Sequence, residues 1–265
     1  MSKILAQTSI LLRTGEMETL TGHQAMGWEF FGTMMLMLFG NGVCAAVNLR
    51  TSTARNTNWL TIAFGWGLAV FIGASIADKT GGHLNPAVTL SLAIDDKLEW
   101  SLVPWYFGGQ MLGAMAGAFL AWAAFKQLFD ANNLDENGND VKGNATTQGI
   151  FFTVPAHPNN FWNALTEFIT TYSLLVFILL GPSGGDLGPL KYFGVAFIIV
   201  AIGLSLGTPT GYAINPVRDL GPRVMYAFVL PIKDKGAAQW AYAWVPIVGP
   251  MLGAVAAGLT AVALG

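Results

Sequence analysis

Long apolar runs broken by short polar stretches dominate the chain. Residues 59–77, 100–125, 192–217 and 236–265 hold no charged side chain, while 25–49 and 161–181 hold one acid each, Glu29 and Glu167. A helix needs roughly 20 mainly apolar residues to cross a bilayer. The pattern therefore predicts six spans, near 25–47, 59–77, 101–125, 162–181, 190–207 and 239–262. Two further apolar stretches, about 85–94 and 215–229, are too short to cross and read as half-helices. Each follows a glycine-containing loop and opens on Asn-Pro, in Asn85-Pro86-Ala87 and Asn215-Pro216-Val217. Asn is a strong N-cap, and Pro is welcome at the first helical position because its missing N–H is not needed there.

The pattern also repeats. Glu-Phe-x-x-Thr occurs from Glu29 and again from Glu167, 138 residues on. Met-Leu-Gly-Ala occurs from Met111 and from Met251, offset by 140, and the Asn-Pro pairs are offset by 130. The chain reads as one duplicated unit of three spans and a half-helix. With three spans per unit, the second copy enters the membrane from the opposite side, which makes an inverted repeat. The expected fold is an all-α membrane protein with six transmembrane helices and two re-entrant half-helices. Residues 1–24 read as a cytoplasmic N-terminal arm, and 25–265 as a single channel domain. Within it, repeat one covers about 25–125, an exposed linking loop 126–160, and repeat two about 161–263. Pro182 to Pro189 forms a short Gly-rich connection. Glycine and alanine at 108–118 and 249–258 let helices approach closely.

Composition sharpens this picture. The 265 residues are 53% hydrophobic and 11% charged, far below the roughly one-quarter charged share of a soluble domain. A net charge of −2 argues against nucleic acid as a partner. The lone Cys44 forbids an internal disulfide and reads as a small packing residue. No phosphate-binding loop and no cluster of metal ligands stands out, which argues against an enzyme, a cofactor or a metal. The N-terminus lacks a long apolar core followed by a small-residue cleavage site, so no removed signal peptide is expected. Lys and Arg are distributed slightly against a cytoplasmic N-terminus, so charge gives no orientation. Asn144-Ala145-Thr146 fits a glycosylation sequon of the kind that recurs by chance.

The candidate chemistry gathers at the half-helices. Their N-termini each carry roughly half a positive charge, and together they disfavour a cation or proton between them. Asn85 and Asn215 can point amide N–H groups into a pore and orient a passing oxygen. The preceding backbones, Gly81, Gly82, His83 and Leu84, and Tyr212, Ala213 and Ile214 after Gly211, are extended chain at membrane depth. Such chain is tolerated where it lines a water-filled cavity. Glu29 and Glu167 need partners at that depth: one reading is a proton relay, the other an acceptor that ties down loop N–H groups, which their matching positions favour. His83 reads as a packed loop histidine rather than a metal ligand. Arg218 sits just inside its half-helix, where a cation opposes the dipole, and its fork of donors suits a solute hydroxyl. Asp219 reads as a loop-pairing group.

On these residues the chain resembles the aquaporin superfamily over about 25–263, and more closely its glycerol-facilitator branch. Arg218-Asp219 and Pro246-Ile247 resemble that branch. The resemblance implies a selectivity filter of Trp66, Gly203, Tyr212 and Arg218, with Phe64 as an alternative to Trp66. Trp66 and Tyr212 would form an apolar corner, Arg218 would take hydroxyls, and Gly203 stands where the water-selective branch has histidine. Val217 departs from the alanine of the motif. The implied function is passive passage of glycerol, other small neutral solutes and water, by a homotetramer in the plasma membrane. Urea, dihydroxyacetone, hydrogen peroxide or undissociated lactic acid could share the path. The rivals are a water-selective channel, a proton-coupled transporter using Glu29 and Glu167, and a closed membrane scaffold.

Overall fold

A computed structural model describes residues 20–181, 187–188 and 190–265. The arm over residues 1–19 and most of the connection from Pro182 to Pro189 lie outside them. Ten α-helices follow in order among the described residues: α1 Gly22–Asn48, α2 Trp59–Ile76, α3 Pro86–Ile94, α4 Val103–Ala124, α5 Lys126–Ala131, α6 Gln148–Phe151, α7 Asn160–Leu180, α8 Phe193–Leu206, α9 Pro216–Val224 and α10 Val245–Leu264. A π-helical turn, Met225–Val229, extends α9.

Helices α1, α2, α7 and α10, and α4 with the short turn before it, are long and apolar enough to cross a membrane. The fifth predicted span is shorter than expected. Helix α8 has 14 residues, about 21 Å at 1.5 Å per residue. Its end, Leu206, matches the predicted 207 within one residue; the loss is at the start, where 190–192 form a turn and the helix begins only at Phe193. The sixth span starts later than 239, because Pro246 sits in the first turn of α10 and fixes its start.

Contacts follow the duplication. Helix α1 packs chiefly on α4, and α7 on α10, while α2 lies against α8. The half-helices cross over: α3 packs on α10, and α9 on α4. Each repeat thus completes the other. Small residues permit the close pairs. A methyl group at Gly109, Gly113 or Gly117 of α4 would overlap the carbonyl oxygens of Met26, Phe30 and Met34 in turn, each one helical turn further along α1. Helix–helix adhesion in lipid rests on such backbone approach. Gly113→Val is therefore expected to prevent stable folding, read as lost monodispersity and a lowered Tm in detergent.

The linking loop corrects the exposed reading of 126–160. Phe129, Ile150, Phe151 and Phe152 are buried in the main core, and so are Asn132, Asn133 and Asn144. The Asn144 amide, 1% exposed, donates to Phe129 O at 2.9 Å and accepts from Asn132 Nδ2 at 3.0 Å. The sequon asparagine is a structural clasp with no side chain free for a glycan.

Candidate functional site

Each half-helix starts as its sequence dictates. Asn85 Oδ1 accepts from Ala87 N at 2.8 Å, and Asn215 Oδ1 accepts from Val217 N at 3.1 Å and Arg218 N at 3.3 Å. These bonds fix which amide atom is nitrogen. Asn85 Nδ2 then donates to Ile214 O at 2.7 Å, and Asn215 Nδ2 to Leu84 O at 2.8 Å. The two caps are cross-linked through each other's loop, which leaves each amide one further N–H. Both asparagines line the same cavity.

The loops that carry these carbonyls are strained. Leu84 and Ile214 sit at φ 56° and 47°, and Tyr212 at φ 37°. Positive φ is unusual for any side-chain-bearing residue and more so for a β-branched one. Two buried carboxylates hold the strain in place. Glu29 Oε1 accepts from His83 N at 3.1 Å and lies 2.6 Å from Thr80 Oγ1, while Oε2 accepts from Leu84 N at 2.7 Å and Gln110 Nε2 at 2.8 Å. Glu167 Oε1 accepts from Ala213 N at 2.9 Å, and Oε2 from Ile214 N at 2.8 Å. Every carboxylate oxygen faces backbone donors of a loop. His83 packs at a tilt against Tyr106 and places Nδ1 3.1 Å from Thr89 Oγ1.

Asp219 binds the linking loop, accepting at Oδ2 from Thr153 N at 2.8 Å and Thr153 Oγ1 at 2.6 Å. Its other oxygen takes Arg223 Nε at 2.7 Å. Arg223 is fully buried and continues to the carbonyls of Ala238 and Thr153. It clamps α9 to the loops on both sides of it.

Two cavities meet here. One, of about 100 Å³, runs past Gly81, Gly82, His83 and Leu84 to Asn85, and past Tyr212, Ala213 and Ile214 to Asn215. Leu36, Val70, Val88, Leu174 and Ile199 supply apolar parts of its lining. The other, of about 310 Å³, lies under the linking loop between Thr146 and Val154. Trp66, Tyr212 and Arg218 belong to both linings, so the passage between the cavities lies among them. The Arg218 guanidinium carbon stands 3.9 Å from the centre of the Trp66 ring, and Nη1 reaches Phe151 O at 3.4 Å. Arg218 is buried against the channel wall and does not snorkel to an interface. Phe64 is 43% exposed on the outside of α2, against 4% for Trp66. Gly203 backs onto Tyr212: a Cβ there would lie 3.0 Å from the phenol oxygen. Pro86, Ala87, Pro216 and Val217 are buried at the starts of α3 and α9.

Several residues at the site escaped sequence reasoning. Trp59 donates from Nε1 to Gly203 O at 2.7 Å and packs edge-on to Tyr212. Asn41, Phe151, Thr153 and Arg223 act across long sequence separations that no local pattern reveals. Thr80 and Thr210 did leave a signal: both stand five residues before the Asn of their motif, and both lie beside the loop-holding glutamate.

A family model described as major intrinsic protein matches residues 16–261. The glycerol uptake facilitator protein of Bacillus subtilis is 44% identical over 226 residues, covering 85% of this chain and 79% of that protein. Glycerol uptake facilitator protein 3 of Lactiplantibacillus plantarum is 42% identical over 226 residues, covering 85% and 90%. The X-ray structure of the aquaglyceroporin from Plasmodium falciparum matches with a TM-score of 0.75 at 30% identity, over 90% of this chain and 95% of that one. With matched halves, crossed asparagine caps and a path between them, the chain belongs to the major intrinsic protein family.

Proposed function

We propose that this integral membrane protein is a passive channel for glycerol and other small neutral solutes, that it also passes water, and that it excludes ions and protons. The observation that carries the reading is the meeting of Trp66, Tyr212 and Arg218 between the two cavities. An indole face beside a guanidinium suits a molecule with carbon on one side and hydroxyls on the other. Beyond it, the two loops and the amides of Asn85 and Asn215 share the lining with apolar side chains, so the same mixed chemistry continues along the path. The opposed half-helix N-termini and the remaining amide N–H groups of Asn85 and Asn215 orient oxygens and repel cations. Relatives that carry the name glycerol uptake facilitator support the same substrate class. Trp66, Gly203, Tyr212 and Arg218 form the filter in this reading, with Glu29, Glu167 and Asp219 as its struts. The protein works as a homotetramer in the plasma membrane with its N-terminus in the cytoplasm.

A passive channel equilibrates and never concentrates. Glycerol entry into proteoliposomes is expected to reach the same end point, at the same rate, with and without an imposed pH gradient. Accumulation above the outside concentration, driven by the gradient, would instead make the protein a coupled transporter.

A further inference from the structure

One turn of α1 stands behind the constriction, against the Trp66 ring and against the linking-loop carbonyl on which Arg218 rests. Gly40 presents no side chain where the Trp66 ring packs, and a methyl group at that position would overlap ring atoms Cζ3 and Cη2. One turn further, Cys44 lines the wider cavity together with Trp66. Between them, fully buried Asn41 donates through Nδ2 to Ile150 O at 2.7 Å and Phe151 O at 3.2 Å. Phe151 O is the carbonyl that receives Arg218 Nη1. Positions three and four apart on a helix share a face, so Gly40, Asn41 and Cys44 form one platform.

The amide at position 41 has a cost that its donors explain. Its Oδ1 is buried with no partner among the described residues, and an unsatisfied buried acceptor is unfavourable. An apolar side chain of similar size would avoid that cost but would release the two linking-loop carbonyls. The indole, in turn, has the guanidinium over its face and Gly40 at its edge. It cannot yield to pressure from α1 without moving within the passage.

We propose that Gly40 and Asn41 are positioning residues that set the bore and polarity of the constriction from outside the path. Gly40 sets how far the Trp66 ring protrudes, and Asn41 fixes the carbonyl against which Arg218 rests. The inference rests on the channel reading above.

Stopped-flow light scattering on proteoliposomes, with water and glycerol measured in the same vesicles, tests it. Gly40→Ala is expected to lower the glycerol-to-water permeability ratio on the order of tenfold, the scale on which one methyl group discriminates in a fitted pocket. Gly40→Ala/Trp66→Phe is expected to recover much of that ratio, because the smaller ring makes room for the methyl group. Asn41→Leu is expected to lower the ratio by a smaller factor. A purely structural role predicts a lower Tm with an unchanged ratio in the protein that folds. An unchanged ratio in Gly40→Ala overturns the inference. If that variant does not reconstitute, an unchanged ratio in Asn41→Leu does so. Wild-type vesicles that pass no glycerol overturn the channel reading and this inference with it; wild-type flux with unaltered variants overturns this inference alone.

Discussion

Gly203→His is expected to cut glycerol permeation by about a hundredfold while water continues to pass, the upper part of the range that a steric misfit in a small pocket commands. The space beside position 203 is already filled. A Cβ there meets Tyr212 Cζ and Oη at 3.0 Å and the Ala63 methyl group at 3.1 Å, so an imidazole must project into the passage or drive the phenol into it. Trp59 anchors the Gly203 carbonyl at 2.7 Å, which removes the third option, retreat of the backbone. Water is small enough to pass a narrowed, more polar opening; a three-carbon chain is not. Both rates come from the same light-scattering traces, and equal loss of water and glycerol would point to a collapsed protein instead of a narrowed one.

Glu167→Gln is expected to destabilise the protein by about 3 kcal/mol, near the upper value for a hydrogen bond to a charged group. Glu167 presents one oxygen to Ala213 N and the other to Ile214 N. Glutamine keeps one acceptor, and in either orientation its N–H₂ faces a backbone N–H. The loss falls on a loop that already holds Tyr212 and Ile214 at positive φ, so the strained carbonyls shift and conduction falls as well. Thermal unfolding in detergent measures the first effect, and glycerol flux the second. The proton-relay reading predicts a different split, with flux lost and Tm unchanged. Glu29→Gln meets the same conflict at His83 N or Leu84 N and is expected to behave alike.

What the sequence disclosed was local. The apolar runs, the two Asn-Pro caps and the repeat of Glu29 at Glu167 each depend on neighbours in the chain, and they located the spans, the half-helices and the loop struts. The start of α8 was placed three residues early, because Leu190 and Tyr192 extend the apolar pattern although the chain only turns there. The linking loop misled for a related reason. Asn132, Asn133 and Asn144 look like solvated loop residues, yet their amides satisfy one another and nearby carbonyls inside the fold. Spacing pointed to Trp66 with Phe64 as the alternative; the two stand two residues apart, and helix α2 turns Trp66 to the cavities and Phe64 outward. Arg223 left no local signal of its role. Its partners Asp219, Thr153 and Ala238 come together only when both loops close over α9.

The central claim is that an apolar ring and a guanidinium together admit a polyol. The most direct measurement is the permeability of wild-type proteoliposomes to glycerol and to water by stopped-flow light scattering, set against protein-free vesicles. The account predicts glycerol entry well above the protein-free rate, together with faster water exchange. Fast water exchange with glycerol entry no faster than in protein-free vesicles would contradict it.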